Sequence, residues 1–130
     1  MVSRVGSRIP LYCSGVGKAL LAELPDPEIE DIWNSSEITS LTPYTVTRLS
    51  DLMDRIRGVR EAGYAMDDEE NEEGVRCIAV SIPDYHKEPV YALSISAPVS
   101  RMTDARIAEL SADVLTFKKD LEKTLGFSRS

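Results

Sequence analysis

Apolar and polar positions alternate with period two over Val75–Ala97 and recur every three or four residues elsewhere in the chain. That change of period separates strands from helices. Two strands are expected at VRCIAVSI (75–82) and VYALSISA (90–97), with a shorter one at 64–67 and a turn over Pro83–Pro89. Ser14 is placed to cap a short helix through Lys18–Ala22, closed by Pro25. Asp26 is expected to cap a second helix, with Pro27 at its first helical position. Ile29, Ile32 and Trp33 form the apolar face of that helix. After a turn-rich stretch, Ser35–Tyr44, Ser50 is expected to cap a third helix through Leu52, Met53, Ile56 and Val59, ended by Gly63. Thr103 opens a long helix whose stripe is Ile107, Leu110, Val114, Phe117, Leu121 and Leu125, ended by Gly126.

The two long strands have unlike faces. Ile78, Val80 and Ile82 with Tyr91, Leu93 and Ile95 make an ordinary core face. The opposite face carries Cys77, Ala79 and Ser81, then Ala92, Ser94 and Ser96. Small side chains leave space above a sheet. Either a helix packs very close there, or a cavity lined by hydroxyls and a thiol remains to take a small molecule.

Composition narrows the function classes. The chain has 130 residues, one domain by length, with 42% apolar and 28% charged residues. Its formal net charge of −7 argues against autonomous nucleic-acid binding and against an anionic membrane surface. No apolar run approaches the ~20 residues of a spanning helix, and no signal peptide is visible. Cys13 and Cys77 read as reduced thiols of a cytoplasmic protein. With one histidine and no CxxC, no metal site and no cofactor are expected.

The candidate chemistry gathers in four places. Ser14–Lys18 opens a helix with two glycines, so its backbone amides are open to an anion such as a carboxylate; the plain alternative is a capped helix start with glycine for close packing. Ser94 and Ser96 point the same way and can donate to a carboxylate or keto oxygen or accept from a hydroxyl; the alternative is a solvated sheet face. Asp67, at the end of the first strand, can accept from ligand hydroxyls; the alternative is a surface acid. The loop that follows, with Asp68, Glu69, Glu70, Glu72 and Glu73, reads as solvated. His86 reads as a surface histidine in a turn, and Arg4 and Arg8 carry no site role.

Three blocks carry a resemblance over residues 8–126: RIPLYCSGVGKALLAELP (8–25), GYAMDDEENEEGVRCIAVSI (63–82) and ALSISAPVSRM (92–102). In that order they resemble the C-terminal effector-binding domain of the IclR family of bacterial transcriptional regulators. PLYCS and EEGVRCIAV look closest to members that sense sugar acids. The resemblance implies an α+β, GAF-like or profilin-like domain: an antiparallel sheet flanked by helices, partly truncated at its N-terminus and lacking the winged helix-turn-helix domain. It implies that the backbone at Gly15 and Val16 holds the carboxylate of an effector, and that Cys77, Ser94 and Ser96 match effector-binding positions. The expected partners are a small keto acid or sugar acid and further copies of the chain, as dimer or tetramer. DNA would be reached only through the absent domain. Two other classes remain open: an oligomerisation module without sensing, and a small hydrolase or lyase with Cys77 as nucleophile.

Overall fold

The computed structural model describes residues 12–83 and 89–124. The readings at residues 1–9, His86, Leu125 and Gly126 lie outside these. Three short helices come first, α1 (Gly15–Leu21), α2 (Asp26–Ser35) and α3 (Leu49–Ala62). The strands β1 (Ala65–Asp68), β2 (Val75–Pro83) and β3 (Pro89–Pro98) follow, and α4 (Asp104–Thr124) completes the order. The strands form an antiparallel sheet in the order β1-β2-β3.

The register confirms the two faces. Ile78 pairs with Ile95 and Val80 with Leu93. With Met102, Ile107 and Val114 these residues bury the α4 side of the sheet. On the other face Ala65 and Ala79 pack against Ala19 of α1, with Val16 and Val59 beside them. Behind α1, Leu21, Ile29, Leu52, Met53 and Ile56 join Tyr12 and Cys13 in a second core. Tyr12 meets Trp33 edge to face at 5.9 Å between ring centroids. The order is therefore α4, sheet, then α1 with α3 beside it on the same face of the sheet, and α2 behind α1.

Local signals set most boundaries. Ser14 Oγ accepts from the Gly17 N–H at 2.9 Å, and Thr103 Oγ1 accepts from the Arg106 N–H at 3.2 Å, as N-caps do. Gly63 ends α3 with φ +87°, a left-handed conformation that favours glycine. Two expected caps fall elsewhere. The second helix starts at Asp26 after an extended Pro25; the Asp26 carboxylate instead accepts from Arg60 of α3 at 2.8 Å. The third starts at Leu49, which leaves Ser50 inside its first turn.

The stripe of α4 breaks at Phe117, although Leu121 is half-buried like Leu110. Ile107 and Val114 are buried, but Phe117 is 50% exposed. The packed cluster on this face reaches Val114 and no further along the helix. Beyond it the inward positions become Leu115, which lies against Gly63, Lys118, near Glu23 of the α1 side, and Glu122. At the other end of the sheet Arg76 ties three elements together. It pairs with Asp68 and Asp104, each at 3.0 Å, and donates to the Met102 carbonyl at 2.9 Å.

Candidate functional site

Antiparallel register builds the site from residues far apart in sequence. Asp67 pairs with Cys77, and Cys77 with Ser96, so one row of three crosses the sheet on the small-residue face. The next row is Ala65, Ala79 and Ser94. Asp67 and Cys77 are buried; Ser94 is half-buried and Ser96 exposed. The Cys77 thiol donates to the Ile78 carbonyl at 3.6 Å, and both serine hydroxyls lie close enough to act on it electrostatically. Ser81, at the far end of this face, donates to Glu23 at 2.9 Å and is withdrawn from the group.

The start of α1 lies directly on these rows. A Cβ added to Gly15 would stand 3.0 Å from Cys77 Sγ and 3.3 Å from Ala79 Cβ. Close helix packing, the first alternative for the small face, therefore holds over Cys77 and Ala79. Ser14 takes the Gly17 N–H. The Gly15 and Val16 amides belong to the first turn of α1, where the helix itself offers no carbonyl. All six expected site residues (Gly15, Val16, Asp67, Cys77, Ser94 and Ser96) thus come together around the junction of α1 with β1, β2 and β3.

The acidic loop departs from expectation. Glu70 is not solvated: it is 1% exposed and ion-pairs with Lys18 of α1, itself 1% exposed. Glu70 Oε1 is buried and has no hydrogen-bond partner among the described atoms. The loop is pulled inward by its backbone. Asp67 Oδ1 accepts from the N–H groups of Glu70 at 2.9 Å and Asn71 at 3.3 Å. The hydroxyls of Thr42 and Thr45 donate to the Glu69 and Glu70 carbonyls, both at 2.6 Å. With these carbonyls held, the Glu70 side chain is carried under α1. Lys18 and Glu70 are the residues the sequence reading missed. The available signal was weak: Lys18 is the only charged residue in the GVGKALL segment that forms α1.

Burial dominates the electrostatics. It pushes the Asp67 carboxyl above its ordinary value, against the two backbone N–H donors and the Lys18 charge, which act to lower it. Burial also raises the Cys77 thiol, opposed by the serine hydroxyls. The Cys13 thiol, buried beside Asp67 and Glu70, is pushed up to about 12. A nucleophilic cysteine needs the opposite shift, so neither thiol is activated.

The sign for Asp67 yields a testable result. Between its ordinary value of 3.8 and the higher value in the fold, the folded chain holds a proton that the unfolded chain has lost. Stability contributed by this group is lost as pH rises through that window. Asp67→Asn keeps an oxygen for the Glu70 and Asn71 donors and removes the buried charge. Chemical denaturation should find this variant more stable than the wild type at pH 7. The advantage should shrink as pH falls towards 4; a variant less stable at pH 7 would contradict the argument.

No group of three or more histidine, cysteine, aspartate or glutamate side chains able to hold a metal occurs among the described residues. No helix among them is long and apolar enough to cross a membrane.

The fold is thus an antiparallel sheet between α4 and the shorter helices, with a small-residue face beneath a glycine-bearing helix start. The sequence profile described as "Bacterial transcriptional regulator IclR C-terminal" matches residues 1–123. The chain belongs to this family. It is 37% identical over 129 residues to the acetate operon repressor of Salmonella typhimurium, across 99% of this chain and 47% of that protein. The chain thus spans about half the length of that curated relative. The crystal structure of the C-terminal domain of the Escherichia coli regulator KdgR superposes with TM-score 0.85 at 36% identity, covering 93% of this chain and 74% of that one. The inducer-binding domain of the Acinetobacter transcription factor PobR, a double mutant in complex with 3-hydroxybenzoic acid, matches with TM-score 0.78 at 25% identity over 88% of this chain and 66% of that one. These relatives are transcriptional regulators.

Proposed function

We propose that this domain senses a small carboxylate metabolite, a keto acid or sugar acid, and thereby controls DNA binding by the regulator to which it belongs. The observation that carries the reading is the row Asp67–Cys77–Ser96 with Gly15 seated on its centre. The amides of Gly15 and Val16 take the carboxylate. Ser94, Ser96 and Asp67 take keto or hydroxyl groups, and the Cys77 thiol and Ala79 give the floor its small size. The PobR complex holds a carboxylic acid, which supports the ligand class. An aliphatic acid suits this chain better than an aromatic one, since Cys77, Ala79, Ala92, Ser94 and Ser96 offer no aromatic surface. Effector binding then acts as a coupling free energy, favouring one conformation of the regulator over another.

A thermal-shift screen with keto acids and sugar acids tests the reading; a panel without any shift counts against sensing. With a confirmed ligand, Ser94→Ala should weaken binding about tenfold or more, and Ser96→Ala, at an exposed position, by less. One buried hydrogen bond lost with its partner unpaired costs on the order of 1–3 kcal/mol, and about 1.4 kcal/mol is tenfold in affinity. Calorimetry on both variants should show these losses with an unchanged melting temperature. Unchanged affinity in both would place the ligand elsewhere.

The sheet supports assembly as well. β1 and β3 are its two edges, and β3 runs for ten residues. An edge of that length with no strand partner among the described residues invites another strand, so self-association is expected, and a clean monomer by sedimentation at high concentration would oppose it. DNA contact belongs to a separate domain of the regulator. At net charge −7 this chain should give no gel shift that survives ~0.2 M salt.

A further inference from the structure

The charges around the site are unevenly distributed. Asp67 is faced by Lys18 of α1, by Glu70 of the following loop, by Cys13 ahead of α1 and by Cys77 of β2. Lys18 is the one cation in that group, and its charge is engaged by Glu70 in a pair closed to solvent. With Lys18 and Glu70 offsetting each other, Asp67 is the charge left on this side of the site, and Glu70 Oε1, buried and without a described partner, is a further acceptor. This side can welcome a hydroxyl donor, but it has no unengaged cation among the described residues to receive a second carboxylate.

Distances along the sheet put that chemistry within reach of a short acid. Gly15 sits on Cys77, and Asp67 is the neighbour of Cys77 across β1 and β2, one strand spacing of about 4.8 Å away. A ligand of three to six carbons with its carboxylate by Gly15 and Val16 extends its far end to Asp67.

We propose that Asp67 is a specificity-determining residue that restricts the site to monocarboxylates whose far end carries a hydroxyl donor, and that it excludes dicarboxylates of the same length. This rests on the sensor reading above and goes beyond it. The energetic asymmetry is plain. A hydroxyl donates to Asp67 and is stabilised by its charge. A second carboxylate meets a like charge in a poorly solvated place and must take up a proton or stay out.

Two matched pairs of acids test this, glycerate with tartronate and gluconate with glucarate, each titrated calorimetrically into the purified chain at pH 7.5. In each pair a terminal CH2OH is replaced by a carboxylate. The wild type should bind the monoacid at least tenfold tighter than the diacid in whichever pair binds. Asp67→Asn should bring the two within about threefold, chiefly by strengthening the diacid; it keeps the acceptor that the Glu70 and Asn71 N–H groups use, and its fold is checked by thermal melting. Equal affinities within a pair, or a gap that Asp67→Asn leaves unchanged, would overturn the specificity role and leave the sensor reading standing. Binding of none of the four acids would overturn the specificity role, while the sensor reading would then stand or fall with the keto acids of the thermal-shift panel.

Discussion

Lys18→Met should lose about 3–5 kcal/mol of folding stability, the usual cost of removing one partner from a buried ion pair. Both partners are 1% exposed as residues, so Glu70 would be left as an uncompensated charge with a second oxygen already unpartnered. For a domain whose total stability is of order 5–15 kcal/mol, the midpoint in urea should fall by about 2 M at a slope of about 2 kcal/mol per M. The double variant Lys18→Met with Glu70→Leu should recover most of the loss, because both desolvation costs vanish together. A Lys18→Met protein as stable as the wild type would mean that the pair is hydrated in solution. Recovery in the double variant separates loss of the charge pair from loss of packing around the lysine stem.

Gly15→Val should cost about 1–3 kcal/mol, as overpacking of a tight contact does, and should abolish ligand binding. Any Cβ at this position stands 3.0 Å from Cys77 Sγ and 3.3 Å from Ala79 Cβ, a fixed strand on a fixed sheet. The helix start must lift, and the Gly15 and Val16 amides move with it. Gly15→Ala should cost less and should couple to Cys77. In a Cys77→Ala background, where the nearer atom is gone, the penalty for Gly15→Ala should shrink, which a double-mutant cycle read by urea unfolding would show. Additive effects would mean that α1 does not rest on Cys77. Comparing unfolding with calorimetry also separates two roles of the same glycine, close packing and ligand binding.

The order of elements and the division of the sheet into an apolar and a small-residue face were legible in the sequence. Alternation places every second side chain on one side, so Ile78 and Ile95 could be assigned to a face before their pairing was known. The caps at Ser14 and Thr103 and the stop at Gly63 were legible because they depend on neighbours within four residues. Asp26 and Phe117 were misjudged for one shared reason. The fate of each was set by a distant element, Arg60 of α3 for the first and the limited reach of the packed sheet face for the second. Glu70 shows this most clearly. Among five acids in one loop, local pattern cannot choose the buried one, and charged residues default to the surface.

By itself, then, the sequence determined the strands and helices, their hydrophobic faces, the family and the set of small and polar residues offered to a ligand. All of these follow from local periodicity and motif. Tertiary structure decided which of them meet. Antiparallel register set Asp67, Cys77 and Ser96 in one row. The close approach that Gly15 permits laid α1 on that row. Thr42 and Thr45, holding the loop carbonyls, carried Glu70 to Lys18 across 52 positions of sequence. Such contacts depend on where the chain returns in space, and the burial they bring pushes the Asp67 carboxyl and the Cys77 thiol upward.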